Sequence, residues 1–134
     1  MSDNLPELTR APELTRAIED YALHVSPDLK TVSGCLKYGI PADGGLHHTF
    51  VMRLPTVRDE MAVPLALEGQ GRMLAVYAAS LEQLGGLPVA DLPADFLADN
   101  LAAADFDALF FAQELLAKKR LRPTSPATDT ATPS

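Results

Sequence analysis

The residues that could do chemistry in this sequence are few, and their spacing does not build a site. His47 and His48 are adjacent, so on a strand they would point to opposite sides and could not hold one metal ion together. Asp105 and Asp107 diverge by about 200° on a helix, where acids more simply favour the N-terminus. Cys35 has no recognisable His and Asp or Asn arrangement around it. The sequence therefore predicts no catalytic residue, metal or cofactor.

Glycine patterns do not suggest nucleotide binding either. Gly69-Gln70-Gly71 lacks the rest of a dinucleotide fingerprint, and no phosphate-cradling Gly-x-x-x-x-Gly-Lys-Ser/Thr is present. We therefore expect that the protein is not an enzyme.

The charge of the sequence argues against a nucleic-acid partner. The net charge of -7 opposes a phosphate-neutralising surface, so nucleic acid is not an expected partner. The stretch 73–117 contains seven acids and neither Lys nor Arg. These acids form either a solvated face or a surface complementary to a basic partner, and the sequence leaves both open.

Length and composition indicate one folded domain. The 134 residues are 47% hydrophobic, which is enough for a core. A single cysteine excludes an internal disulfide and fits a reducing cytoplasm. Neither a secretory leader nor a membrane span is expected, because there is no run of eighteen apolar residues.

The elements that must position these residues begin with a helix over 12–24, followed by two alternating segments. The segment 30–38 and the segment 49–54 flank a turn-rich run at 39–45, which predicts a β-hairpin. Upstream, Pro6–Ala11 is repeated as Pro12–Ala17, which we interpret as a local duplication.

Helices are expected to follow the hairpin. Thr56 with Asp59 three residues later predicts a capped short helix that ends near Pro64. Apolar spacing predicts a helix over 72–84, which ends at Gly85-Gly86, and a short helix over 92–99.

The last predicted helix, 105–120, has two apolar faces. Phe106, Leu109, Phe110 and Leu116 share one face, whereas Ala108, Phe111, Ala112 and Leu115 lie roughly opposite. Either the helix is sandwiched within its own domain, or one face meets a partner. Lys118, Lys119, Arg120 and Arg122 crowd its end, where cations suit the helix dipole and could alternatively form a basic binding patch.

The predicted fold class is α+β and mostly helical: an N-terminal helix, one antiparallel β-hairpin, and several helices packed on it. We expect an N-terminal extension at 1–29, a main domain at 30–122 and a disordered tail at 123–134, where Pro, Thr, Ser and Ala dominate.

Three motifs in sequence order resemble the tail assembly chaperones of Mu-like and other long-tailed phages, over residues 45–120. They are Arg53-Leu54-Pro55-Thr56-Val57-Arg58-Asp59, then Leu84-Gly85-Gly86-Leu87-Pro88, and then Leu101 leading to Asp105-Phe106-Asp107-Ala108-Leu109 with Lys118-Lys119 downstream.

This resemblance implies a chaperone that binds the helical tape measure protein, keeps it soluble during tail tube assembly, and is absent from the finished virion. It also implies a longer frameshifted product, with the codons of Lys118 and Lys119 as a place to look, and it leaves self-association open. The candidate partner-binding residues are Phe106, Phe110, Phe111 and Leu115. The alternative is a structural minor tail or baseplate subunit, and after it a cellular adaptor unrelated to phage.

Overall fold

A computed structural model describes residues 5–89 and 92–122, with side chains from residue 13 onward. Its elements, in chain order, are α1 (Leu5–Asp20), β1 (His24–Val25), β2 (Thr31–Ala42), β3 (Gly45–Arg53), α2 (Val57–Met61), α3 (Gly69–Ser80), β4 (Leu81–Leu84), α4 (Ala94–Asn100) and α5 (Ala103–Arg120).

Within the described residues, the strands form one antiparallel sheet in the order β1-β2-β3-β4. Alternation along β2 buries Val32, Gly34 and Leu36, and the paired strand β3 buries Phe50 and Met52 on the same side. This apolar side needs a cover, because a sheet face of this composition is not stable in water.

Helix α5 supplies most of that cover by lying across β2, β3 and β1. Its buried residues are Asp105, Ala108, Leu109, Ala112, Gln113, Leu115 and Leu116. At 3.6 residues per turn these positions span about 160° of the helix surface, which is one broad face and not two opposed ones. Helix α1 packs beside α5, and Ala17, Tyr21 and Leu23 belong to the same buried cluster.

The middle of β2 contains a bulge that α5 stabilises. The register of β2 on β3 shifts between Cys35 and Ile40, and Gly39 has a φ of 80°, which favours glycine. The backbone N–H groups of Lys37, Tyr38 and Gly39 donate to the carboxylate of Asp105 over 2.9, 3.0 and 3.1 Å. One buried aspartate therefore satisfies three donors that have left the ladder.

The prediction of a single hairpin followed only by helices is wrong. The sheet has four strands: β1 lies before the hairpin, and β4 lies between helices. Strand β1 uses His24, which was expected to end the first helix; that helix instead ends at Asp20.

Strand β4 replaces the end of the helix predicted over 72–84. Leu81 and Leu84 are three residues apart, which matches a helical stripe. In β4 an irregularity opposite Val51 and Met52 inserts one extra residue, so both leucines are nonetheless buried. Gly85 then ends a strand and not a helix; its φ is 55°, and a side chain there would collide with His47.

The predicted cap of the short helix after the hairpin is present at the start of α2. The capping box at Thr56 is confirmed, because its hydroxyl accepts the Asp59 N–H at 3.2 Å and the Asp59 carboxylate accepts the Thr56 N–H at 2.7 Å. The proposed tail at 123–134 lies outside the described residues. The division of the chain at residue 29 stays a prediction.

Candidate functional site

The most exposed apolar side chains of the described residues lie together on α2 and just after it. Val57 and Met61 are one helical turn apart and each is 76% exposed, and Leu65 is 93% exposed. They line one groove of about 460 Å³, whose floor includes the buried Val63. We call Val57, Met61 and Leu65 the α2 patch.

Helix α2 has no buried residue, so apolar packing does not hold it in place. Polar contacts do so instead. The Arg53 guanidinium donates to both carboxylate oxygens of Asp59, over 2.6 and 3.2 Å, while Asp59 also caps the helix through Thr56. A two-point Arg–carboxylate contact fixes orientation as well as distance. The first turn of α2 is therefore anchored to the end of β3.

The electrostatics of this anchor follow from its contacts. Hydrogen bonding from Arg53 lowers the pKa of Asp59 to about 2; burial opposes the shift and Thr56 assists it. Asp59 in turn raises the pKa of Arg53. Arg53 also donates to the Ala79 carbonyl at 2.9 Å and pairs with Glu82 at 3.2 Å. The same arginine thus links α2 to the junction of α3 and β4.

The segment that follows α2 is held from the other side. The guanidinium of Arg72, on α3, donates to the carbonyls of Glu60 and Pro64, both at 3.4 Å. These are long hydrogen bonds and individually weak. Together with the buried side chain of Val63, they keep Leu65 beside α2. The backbone of the α2 patch is therefore positioned by contacts that leave its apolar side chains open to solvent.

The partner-binding residues predicted on α5 lie in different environments. Leu115 is only 7% exposed and belongs to the core. Phe106 is half-buried, and its ring lies 5.6 Å from that of Tyr77 on α3. Phe106 flanks the packed face of α5, and Leu115 is part of it. A partner could therefore not reach Leu115 without opening the core.

Phe110 and Phe111 lie next to each other on the side of α5 that faces away from the sheet. Their rings meet edge to face, with centroids 5.2 Å apart, and Phe110 is 36% exposed. They line a groove of about 420 Å³ between α1 and α5, which also contains Glu13, Arg16, Ala17, Asp20, Tyr21 and Asp107. We call this the α1/α5 groove. Partner binding by the four predicted residues stays a prediction.

Sequence reasoning missed the α2 patch. Val57, Met61 and Leu65 recur every four residues between Pro55 and Pro64 and just beyond, which was a usable signal. A helix bounded so closely by two prolines is too short to bury a face against two neighbours. Apolar residues at helical spacing on so short a segment indicate exposure more than core.

The two adjacent histidines each have hydrogen-bond partners within the fold. Nδ1 of His48 lies 2.8 Å from the Leu36 carbonyl, so it donates to that oxygen across the bulge. His47 accepts the Gly86 N–H at Nδ1, and its Nε2 donates to the Ala42 carbonyl, both over 3.1 Å. Within residues 13–89 and 92–122, no group of three or more His, Cys, Asp or Glu side chains could hold a metal ion.

Comparisons with protein-family models, with curated proteins and with solved structures give no match. None of the helices in the described part of the chain has the length and apolar character needed to cross a bilayer.

Proposed function

We propose that this protein is a phage tail assembly chaperone, which binds the helical tape measure protein and keeps it soluble while the tail tube assembles. The observation that carries the proposal is the α2 patch: three exposed apolar side chains on a segment whose backbone is held by polar contacts. The order of motifs along residues 45–120 resembles this class of chaperone and supports the same assignment.

The α2 patch suits an amphipathic client helix. Monomeric proteins rarely expose neighbouring Val, Met and Leu side chains to this extent unless the surface binds a partner. A client helix would lay its own apolar stripe along the groove beside α2. Full burial of one such side chain contributes about 1.5–3 kcal/mol, and association entropy offsets a large part of the sum. We therefore expect weak, reversible binding, as a chaperone that must release its client requires.

The charge of the protein supports the same role. Seven acids and no Lys or Arg lie between residues 73 and 117, and the whole chain has a net charge of -7. An excess of like charge keeps protein complexes dispersed. A complex that covers an aggregation-prone client would remain soluble for this reason in the cytoplasm of the bacterial host, and the chaperone would be absent from the finished virion.

Coexpression with the client tests the proposal. The full chain is produced together with the tape measure protein from the same genome, and the soluble fraction of the client is measured. We expect the triple variant Val57→Ser, Met61→Ser, Leu65→Ser to lower that fraction at least fivefold, because the polar side chains no longer cover the apolar stripe of the client.

A matched control removes exposed apolar side chains elsewhere. Tyr38 and Leu46 are 61% and 56% exposed and lie on the hairpin, away from the α2 patch. Tyr38→Ser with Leu46→Ser should leave client solubility unchanged. Equal loss in both variants, or no loss in the triple variant when its thermal unfolding is normal, would contradict binding through the α2 patch. If the unaltered chain has no effect on the client, the chaperone role itself fails.

Particle composition separates this function from a structural tail subunit. Mass spectrometry of purified virions should find the protein absent or far below the abundance of tube subunits. A fixed stoichiometric presence would instead identify a minor tail or baseplate component, which uses its surfaces for permanent subunit contacts.

A further inference from the structure

The α1/α5 groove combines negative charge with an apolar surface. Among the residues that line it, Glu13, Asp20 and Asp107 contribute three carboxylates and Arg16 a cation, and Phe110 and Phe111 supply the apolar wall. Lys37 stands at the edge of the groove, where its Nζ pairs with Asp20 at 3.7 Å and lies 5.4 Å from the centre of the Tyr21 ring. Burial, and after it the charges of Asp107, Asp105 and Asp20, raise the pKa of the neighbouring Tyr21. The groove therefore suits an apolar group that is flanked by cations.

The end of α5 has the complementary composition. Lys118, Lys119 and Arg120 form its exposed last turn, and Leu121, which follows them, is 69% exposed. Arg122 is exposed beyond it. The helix dipole accounts for cations at this position, but it gives no reason for an open leucine between two arginines. Among the described residues, neither these cations nor Glu13 and Asp107 form an ion pair.

These two surfaces cannot meet within one molecule. Phe110 and Leu121 are eleven positions apart on and just beyond a continuous helix, which separates them by about 16 Å along its axis. The complementary surface must come from another molecule. We propose that the basic end of α5 in one copy docks in the α1/α5 groove of a second copy, with Leu121 against Phe110 and Phe111 and the lysines beside Glu13 and Asp107.

This contact joins two different surfaces, which has a geometric consequence. If each copy of a pair fills the groove of the other, the result is a closed two-fold dimer; if not, copies add head to tail. In both cases the contact depends on exposed charges and weakens as salt is raised. The inference goes beyond the chaperone function, because it involves no client and uses a surface other than the α2 patch.

Charge reversal on the full-length protein tests the contact by sedimentation velocity at low and high salt. One variant combines Glu13→Lys with Asp107→Lys, and the other combines Lys118→Glu with Lys119→Glu. Each repels itself, so we expect its self-association to be at least tenfold weaker than that of the wild-type chain. An equimolar mixture of the two variants restores both complementary contacts, and it should recover the wild-type sedimentation coefficient.

A third variant, Lys30→Glu with Arg58→Glu, changes the net charge by the same amount and sign as Lys118→Glu with Lys119→Glu, at exposed positions outside both surfaces, and should associate normally. The proposal is overturned if the wild-type chain remains monomeric at protein concentrations on the order of 100 μM, because even a weak specific contact should be populated there. It is also overturned if the mixture fails to associate, or if the Val57, Met61, Leu65 triple variant abolishes association in place of the reversals.

Discussion

Helices α2 and α5 are both anchored by an aspartate at their third position, yet the consequences for the two helices are opposite. Asp59 of α2 turns back to its own N-cap and to Arg53. Asp105 of α5 reaches out to three backbone N–H groups of β2. Around Asp105 the helix is buried against the sheet, whereas α2 has no buried residue.

The contacts at the two N-caps differ as well. Thr56 closes a capping box: its hydroxyl accepts the Asp59 N–H, and its own N–H donates to the Asp59 carboxylate. Ala102 has no hydroxyl, and α5 has no side-chain cap. The carboxylate of Asp105 accepts instead from the three N–H groups of the bulge in β2. One helix becomes part of the core, and the other is positioned by polar contacts and presents its apolar side chains outward.

Of the two aspartate anchors, that of α5 is expected to have the larger effect when it is removed. Asp105 is fully buried, and Asp105→Ala leaves three backbone donors without an acceptor. The Gly39 bond is buried, and those of Lys37 and Tyr38 are partly buried. An unsatisfied buried donor costs about 1–3 kcal/mol and a partly buried one costs less, so we expect a loss of about 2–3 kcal/mol in the free energy of unfolding. Urea unfolding measures this directly through the shift in midpoint at constant slope.

The matched control lies two residues away. Asp107 is exposed, so Asp107→Ala should change the free energy of unfolding by less than about 0.5 kcal/mol. Asp105→Asn keeps one acceptor oxygen but places an amide NH₂ near the same donors, and its loss should fall between those of the two alanine variants. A loss below about 1 kcal/mol for Asp105→Ala would show that β2 and α5 are not joined through this carboxylate.

Part of this architecture could be predicted from local sequence. The capping box at Thr56, the hairpin and the last helix depend on contacts within a few residues or on a regular period, and the sequence contains both signals. The role of Asp105 could not be predicted in this way. Its partners lie more than sixty positions away in a bulge, and its proximity to a helix N-terminus gave a sufficient local reason for an acid.

Strand β4 and the packing of α5 were misjudged for related reasons. Leu81 and Leu84 have the spacing of a helix, and only pairing with β3 reveals the irregularity that buries both in a strand. On α5, the aliphatic residues of the two predicted faces form one broad buried face, because the sheet lies beneath the helix. Phe106, Phe110 and Phe111 lie outside that buried face. The elements packed around a helix determine how wide its buried face is, and the spacing of apolar residues in the sequence does not reveal those elements.

A smaller effect is expected from the anchor of α2, and it depends on pH. Arg53 holds the pKa of Asp59 at about 2, below the ordinary value of 3.8. A lowered native pKa stabilises the fold above pH 4–5, and this stabilisation is lost as the pH falls through 2. The pair is partly open to solvent, so we expect Asp59→Asn to cost about 1 kcal/mol at pH 7 and almost nothing at pH 2.

Parallel urea titrations of the wild-type chain and Asp59→Asn between pH 7 and pH 2 isolate this contribution from that of other acids. If the two curves keep a constant separation down to pH 2, the carboxylate acts through shape and not through its charge. If they coincide at every pH, the contact between Asp59 and Arg53 does not anchor α2, and the comparison with α5 fails.

The smallest effect on stability is expected from the side chains of the α2 patch itself. Val57, Met61 and Leu65 contact little within the molecule, so changing each to serine should alter the free energy of unfolding by less than about 0.5 kcal/mol. Leu116→Ala, in the buried face of α5, should cost about 2–5 kcal/mol. Urea unfolding of the four single variants at one pH tests both statements. A loss above about 1 kcal/mol at Met61 or Leu65 would mean that the α2 patch is already covered in the free protein, and a surface already covered could not receive a client helix.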